Sequence, residues 1–386
     1  MTITNDIRYI GVNDHVTDLF ESQYIIPEGM AYNSYVIFDE KIAVMDTVEG
    51  KFGDEWLGNL KNALDGKTPD YLIVQHMEPD HSANILNFIK AYPEAKIVGN
   101  IQTFNMMGQF FETLPEFEKV TVKDGETLSL GKHELAFVFA PMVHWPEVML
   151  TYDSTDKVLF SADAFGKFGA LDAEEDEWDC EARRYYFGIV GKYGMQVQKL
   201  LKTAADLDIQ TICPLHGPVL SENIAYYINK YDIWSSYKPE DRGVFIAYAS
   251  IHGNTKKAAE LLAEMLKEKG CEKVAISDLS REDWAECVED AFRYDRLVLA
   301  ASSYNGDVFP AMRSFITHLT ERSYQNRTVA FVENGSWAPT AKRTMAALLE
   351  KSKNITYCEN SVTIKSSLNA DSKAALEALA EEICRK

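Results

Sequence analysis

The stretch Gln75-His76-Met77-Glu78-Pro79-Asp80-His81 constrains this chain more than any other. It sets two histidines, a glutamate and an aspartate within six residues, directly after the apolar run Tyr71-Leu72-Ile73-Val74. That run reads as a buried strand, and Pro79 is expected to forbid a helix through the cluster. Neutral imidazole and carboxylate both bind borderline and hard cations, so four such side chains at the mouth of a strand are good metal ligands. A polar loop with a helix N-cap after it explains one His or one Asp but leaves the four together unaccounted for. The stretch reads as a metal site.

Composition bounds the rest. At 386 residues the chain is expected to hold two domains, each able to bury a full core. A formal charge of -20 argues against nucleic acid as a partner and for a cytoplasmic protein. No apolar run reaches the length of a membrane span, and the polar start Met1-Thr2-Ile3-Thr4-Asn5-Asp6 does not read as a signal peptide. Six cysteines (180, 213, 271, 287, 358 and 384) contain no CxxC pair, which excludes a zinc ribbon, a rubredoxin-type iron centre or a disulfide framework. Reduced thiols are expected.

Along the first half, strands come first (24–26, 34–38, 42–46), then strand–helix alternation, then strands again (120–122, 135–140, 148–152, 158–160). A helical stretch from about Arg183 to Leu207 precedes a strand at 210–213. This order predicts an αββα sandwich with the sheets inside. His144, Asp163 and His216 each lie just past a strand, downstream of the cluster. Each alone reads as a capping residue; together, beside strand ends, they read as further ligands. Asp46, ending a strand, is expected to accept a ligand's free N–H.

Residues 235–241, polar and holding one Pro, read as a linker, which divides the chain into domains at 1–237 and 242–386. Beyond it, five strands (243–249, 273–278, 296–301, 327–333, 355–363) alternate with five helices, the pattern of a doubly wound parallel sheet of flavodoxin type. The first strand runs into Ser250-Ile251-His252-Gly253-Asn254-Thr255, where hydroxyls and backbone N–H groups at a helix start suit a phosphate monoester. This loop is neither GxxxxGK[ST] nor GxGxxG, which disfavours ATP and dinucleotides. Taken alone, it is no more than a helix cap. The third strand, however, ends in Ser302-Ser303-Tyr304-Asn305-Gly306-Asp307 and the fourth in Glu333-Asn334-Gly335-Ser336-Trp337. Glycine-containing loops at three strand ends, two with an aromatic, suit a flat ring.

The pattern His76-x-Glu78-x-Asp80-His81, then His144, Asp163 and His216-Gly217, resembles the metallo-β-lactamase-like domain of flavodiiron proteins, and the second half resembles flavodoxin. The hydrolases of that superfamily carry a histidine where Glu78 stands and usually bind zinc. Glu78 adds an anionic oxygen, and nitrogen-plus-carboxylate ligation favours iron that cycles between ferrous and ferric. The resemblance implies one iron on His76, Glu78 and His144, a second on Asp80, His81 and His216, and Asp163 bridging. It leaves the ligation of His81 open, since that position is not always metal-bound in the family. It also implies that Glu28-Gly29-Met30-Ala31-Tyr32-Asn33-Ser34-Tyr35 passes near the substrate pocket and that Tyr193 faces bound substrate. In the second half it implies FMN, with its phosphate on residues 250–255 and its ring between Ser302–Gly306 and Asn334–Trp337, Trp337 being a stacking candidate.

The function so implied is reduction of dioxygen to water, of nitric oxide to nitrous oxide, or both, at a diiron pair fed by FMN. A separate donor is expected, rubredoxin first and a reduced deazaflavin coenzyme second. So is a head-to-tail homodimer in which the flavin of one chain serves the irons of the other. Two rival readings remain: a dizinc hydrolase with an appended flavodoxin domain, which Glu78 counts against, and an FMN carrier or sensor with a vestigial metal domain, which the full ligand set counts against.

Overall fold

The computed structural model describes residues 1–173 and 177–385. The chain divides into two compact units, Met1–Tyr186 with Met195–Asp232, and Phe187–Gly194 with Ile233–Lys386.

In the first unit a six-stranded sheet runs in the order Ile7–Tyr9, Tyr35–Ile37, Ala43–Met45, Tyr71–Ile73, Lys96–Gly99 and Lys119–Thr121. Its first two pairings are antiparallel and the other three parallel. A five-stranded sheet follows in the order Thr127–Ser129, Glu134–Phe139, Met149–Asp153, Val158–Phe160 and Thr211–Cys213, antiparallel up to its last, parallel pair. Side chains alternate across a strand. Ile7, Ile37, Met45, Ile73 and Val98 of the first sheet therefore share one core with Leu135, Phe137, Met149, Phe160 and Cys213 of the second. Val36, Val44, Leu72 and Ile97 alternate to the other face of the first sheet and are equally buried, so both faces are covered. The result is the expected sandwich.

The second unit is built on a parallel sheet in the order Val274–Asp278, Asp241–Ala249, Tyr294–Tyr304, Thr328–Asn334, with Thr356–Tyr357 and Val362–Ile364 at the far edge. In chain order this is the flavodoxin-like arrangement of a doubly wound sheet. Val244, Ile246, Val298, Ala300 and Val332 pack with Leu262, Leu266, Leu376 and Leu379 of helices Asn254–Glu268 and Ala370–Arg385. Phe245 points the other way and meets Phe315 of helix Pro310–Glu321 with ring centres 6.4 Å apart.

Two expectations need correction. Pro79 does not forbid a helix; it starts one, Pro79–Ser82, at the first position, where its missing N–H costs nothing. The helical stretch after Arg183 is not continuous: Trp178–Tyr185 gives way to a π-helical turn at Tyr186–Val190 and a 3-10 turn at Gly191–Tyr193 before Gly194–Ala204. Gly194 belongs to this break, because a Cβ there would meet the Ser235 carbonyl oxygen at 2.4 Å. The stretch 235–241, read as a linker, lies within the second unit. Ser235 and Tyr237 are buried, the Tyr237 hydroxyl donates to the Gly191 carbonyl at 2.8 Å, and the Arg327 guanidinium donates to the Tyr237 carbonyl at 2.8 Å.

His133 ties the sheets of the first unit together at one end. Its Nδ1 lies 2.8 Å from Asp153, its Nε2 3.3 Å from Asp6, and its backbone N–H donates to Asp39 at 2.6 Å. Burial disfavours the imidazolium, but the hydrogen bonds and charges of Asp153 and Asp6 outweigh it and raise the His133 pKa. A raised folded pKa gives stability that is full below the unfolded value and fades as pH rises through the folded one. His133→Asn is therefore expected to cost on the order of 1.5–3 kcal/mol in denaturant unfolding at about pH 6 and distinctly less at about pH 9. An equal cost at both pH values would show that the charge on His133 contributes nothing.

Candidate functional site

The ligand candidates reach one place because loops at neighbouring strand ends carry them. Residues 74–78 leave strand Tyr71–Ile73, helix Pro79–Ser82 presents Asp80 and His81, and His144, Asp163 and His216 follow the strands ending at Phe139, Phe160 and Cys213. All seven side chains converge. His76, Glu78, His144 and Asp163 form one group able to hold a metal ion, and Asp80, His81 and His216 a second.

In the first group the Nε2 atoms of His76 and His144 lie 3.2 and 3.0 Å from Glu78 Oε2, and both lie 3.2 Å from Asp163 Oδ2. In the second, Asp80 Oδ2 lies 3.3 Å from His81 Nε2 and 3.2 Å from His216 Nε2. Asp163 Oδ1 lies 3.2 Å from His81 Nε2 and 3.6 Å from His216 Nε2. One carboxylate thus offers one oxygen to each group. Edges of this length in a tetrahedral or octahedral shell place its centre about 2.0–2.3 Å from each donor, the range of metal bonds to imidazole and carboxylate.

Electrostatics also ask for cations here. Both oxygens of Asp80, both ring nitrogens of His81, Nε2 of His144 and Oδ1 of Asp163 are buried with no hydrogen-bond partner. Burial pushes the Asp80 carboxyl up to about 7. Burial works against a proton on His76, yet Asp163, Glu147 and Glu78 raise its pKa well above the ordinary value. Buried carboxylates with no cation beside them are unfavourable, and two metal ions would answer that charge. Oxygen and imidazole donors without thiolate suit iron, so the residues present fit a diiron pair.

Two of the rings are aimed by partners on other segments. His76 Nδ1 lies 2.8 Å from Glu147 Oε1, and His216 Nδ1 lies 2.8 Å from the Ala31 carbonyl, which turns each Nε2 inward. Asp46 does not take a ring N–H as expected. It accepts instead from the Gln75 backbone at 2.7 Å and the Gln75 side chain at 2.9 Å, and so shapes the loop. The segment after Glu28 supports the His216 loop. Asn33 donates to the Pro214 and Gly217 carbonyls, both at 2.8 Å, and the Tyr35 hydroxyl donates to Pro214 at 2.7 Å. Glu28 itself is exposed.

Tyr193 lies in the 3-10 turn Gly191–Tyr193. Its turn belongs to the second compact unit, and the Lys192 ammonium stands 5.9 Å from its ring centre. Two tyrosines stand beside the ligands, Tyr32 and the fully buried Tyr185, each with its ring centre 5.6 Å from that of His216. Burial and the charges of Asp163, Asp80 and Glu78 hold the Tyr185 hydroxyl protonated, well above its usual range. A cavity of about 310 Å³ opens onto Glu78 and Asp80, lined also by Phe20, Glu21, Tyr32 and Lys51.

In the second unit a cavity of about 620 Å³ lies at the carboxyl ends of the strands, within the range of cofactor pockets. Ser250, Ile251, His252, Asn254 and Thr255 line it, with Ser302, Ser303, Tyr304, Asn305, Gly306, Asn334, Gly335, Ser336 and Trp337. Gly253 is outside the lining; it takes φ +82 and caps the helix, its N–H donating to Ser250 Oγ at 3.1 Å. The first turn of that helix holds no acidic residue, as an anion site requires. Trp337 is 92% exposed, an unpartnered aromatic face on the cavity's rim. Open anion-binding loops and a free aromatic face fit FMN. Sequence reasoning missed Thr340, whose N–H donates to Ser303 Oγ at 2.8 Å, and Ser366, whose backbone N–H and C=O are both held by Asn334.

The family model described as ODP family beta lactamase matches residues 30–217, and that of a flavodoxin domain matches 245–361. An uncharacterised protein of Methanocaldococcus jannaschii is 32% identical, with 83% of this chain and 81% of that protein covered. The anaerobic nitric oxide reductase flavorubredoxin of Escherichia coli is 28% identical, over 100% of this chain and 80% of that protein. Among solved structures, rubredoxin oxygen:oxidoreductase of Desulfovibrio gigas superposes with a TM-score of 0.92 at 26% identity, covering 100% of this chain and 98% of that one. The flavodiiron protein of Giardia intestinalis gives 0.91 at 23% identity, covering 99% and 95%. The chain belongs to the flavodiiron family. As a member it is an oxidoreductase whose cofactors are FMN and two irons, and among the described residues no helix is long and apolar enough to cross a membrane.

Glu147 was not foreseen, although it stands three residues after His144 and just before a strand. Removing such a partner typically costs about 10–100-fold in metal affinity. Glu147→Ala is expected to show a loss of that size in chelator-competition titrations with ferrous iron, and Glu147→Gln, which keeps an acceptor, a smaller one. Unchanged affinity in Glu147→Ala would show that His76 needs no such support.

Proposed function

We propose that this flavodiiron protein reduces dioxygen to water, nitric oxide to nitrous oxide, or both, at irons held by His76, Glu78 and His144 and by Asp80, His81 and His216. The observation that carries this reading is Asp163, whose two oxygens face the two groups separately. Bound there, ferrous irons would supply electrons and open positions for a diatomic, and FMN would supply replacement electrons.

The chain's own residues prepare that chemistry. Glu147 and the Ala31 carbonyl hold the ligand rings fixed before substrate arrives, so little reorganisation remains. Phe20, Tyr32 and Tyr185 pack around His216 with ring centres 5.4–5.6 Å away and keep bulk water from that side. The cavity beside Glu78 and Asp80 admits a small molecule. In the second unit Ser250, Asn254 and Thr255 would hold the FMN phosphate, and Trp337 would cover one face of the ring.

The electron donor is proposed to be a rubredoxin-type protein, with a reduced deazaflavin coenzyme second. The decisive measurement is a steady-state rate with each gas, using one reduced donor. Asp163→Asn is expected to abolish turnover of both while the flavin spectrum is kept. Near-normal turnover with iron bound would overturn the bridging role. We further propose a head-to-tail homodimer in which flavin of one chain serves the irons of the other. A mixed dimer of Asp163→Asn with a chain substituted at Ser250 and Thr255 to exclude FMN is expected to regain activity. With both cofactors confirmed and no turnover, transfer between chains is excluded.

A further inference from the structure

Two of the six cysteines meet in the second unit. Cys271 Sγ and Cys384 Sγ lie 2.7 Å apart across 113 positions of chain, close to the ~2.05 Å of a disulfide. Each is set there by its own local structure. Helix Asn254–Glu268 ends in a Schellman motif: Gly270, at φ +88, donates to the Lys267 carbonyl, and Cys271 N–H donates to the Leu266 carbonyl, both at 3.0 Å. That motif fixes Cys271 just past the helix end and turns it into the core, where it is 9% exposed. Cys384 lies in the last turn of helix Ala370–Arg385, and its thiol donates weakly to the same Leu266 carbonyl at 3.9 Å. The buried Arg296 anchors that turn, donating to the Ile383 carbonyl at 3.0 Å and to the Gly243 carbonyl at 3.2 Å.

We propose that Cys271 and Cys384 are a redox-modification site that closes to a reversible disulfide under hydroperoxide and staples the C-terminal helix to the helix that opens on the anion loop. Cys384 is half-buried and the more accessible of the two. Its sulfur attacks the peroxide, the O–O bond breaks, and a sulfenic acid and one water result. Cys271 then displaces the sulfenic oxygen as a second water, and the S–S bond forms. Two thiols lose two electrons and two protons, and one hydrogen peroxide becomes two waters. Burial, with the neighbouring thiol, pushes Cys271 up to about 12, which argues against Cys271 as the first nucleophile.

The test uses the full-length protein, reduced without oxygen and then exposed to hydrogen peroxide, with the exposed Cys180 as an internal reference. Peptide mapping after alkylation is expected to show one cross-link joining Cys271 and Cys384. It should remove two hydrogens from the intact mass and be reversed by dithiothreitol. Cys384→Ser should abolish the cross-link and leave Cys271 alkylatable, while Cys358→Ser, at another thiol packed near this core, should leave it intact. The proposal is overturned if Cys271 and Cys384 both stay alkylatable once Cys180 is oxidised. It is equally overturned if Cys384 cross-links to Cys358 instead. Mapping on the wild-type chain decides the matter even if a variant folds poorly.

Discussion

The structure of the first unit turns on the desolvation of Asp163. It is 1% exposed, and the charges of His76 and His81, with His144 beside it, hold its carboxyl well below the usual range against the cost of burial. A buried carboxylate without compensation costs several kcal/mol. Four histidines on three separate segments must therefore arrive together, and each must present its Nε2. The two-sheet sandwich meets that demand by ending its strands at one edge, where loops from both sheets can share a small polar volume. The metal pair completes this arrangement. Without it, Asp80 and His81 keep polar atoms that no protein group satisfies.

Holding such loops in place falls to uncharged groups that bond carbonyls. Asn33 spans the carbonyls of Pro214 and Gly217, Ser34 those of Met45 and Asp46, and Thr47 that of His81. Each bond alone contributes about 0.5–1.5 kcal/mol. Their larger effect is geometric, because each fixes a segment that carries a ligand or stands next to one. Metal chemistry of this kind depends on donors being set before the substrate arrives, and a rigid polar scaffold supplies that.

Much of this was legible in the sequence, for physical reasons. Alternating apolar runs gave the strands because burial on both faces leaves little freedom of composition, and strict strand–helix alternation gave the second, parallel sheet. The ligands were legible because charged side chains are rarely buried unless paired or bound to metal. What failed was local. Pro79 reads as a helix breaker, yet it begins a helix. Residues Arg183 to Leu207 carry an apolar pattern that reads as one helix, but Gly194 must pass close to the Ser235 carbonyl, a constraint that only the folded chain reveals. Glu147 and Tyr185 were missed because a carboxylate or tyrosine near a ligand in space need not resemble one in sequence. The contact between Cys271 and Cys384 was invisible for the same reason, since separation along the chain says nothing about the packing of two helices.

The two sites differ in how they relate to the folding of their units. At the metal centre the donors are part of the core. Ions bound there relieve buried charge, so metal affinity and the stability of the sandwich are linked quantities. At the flavin cavity the loops project from strand ends beyond a core of aliphatic residues that is complete without them. Their hydroxyls pair with one another, as Thr255 does with Ser302 at 2.9 Å and Ser366 with Ser336 at 2.8 Å. A cofactor held this way adds to a fold that already stands. The irons differ, because moving any one donor uncovers a charge that the core cannot solvate.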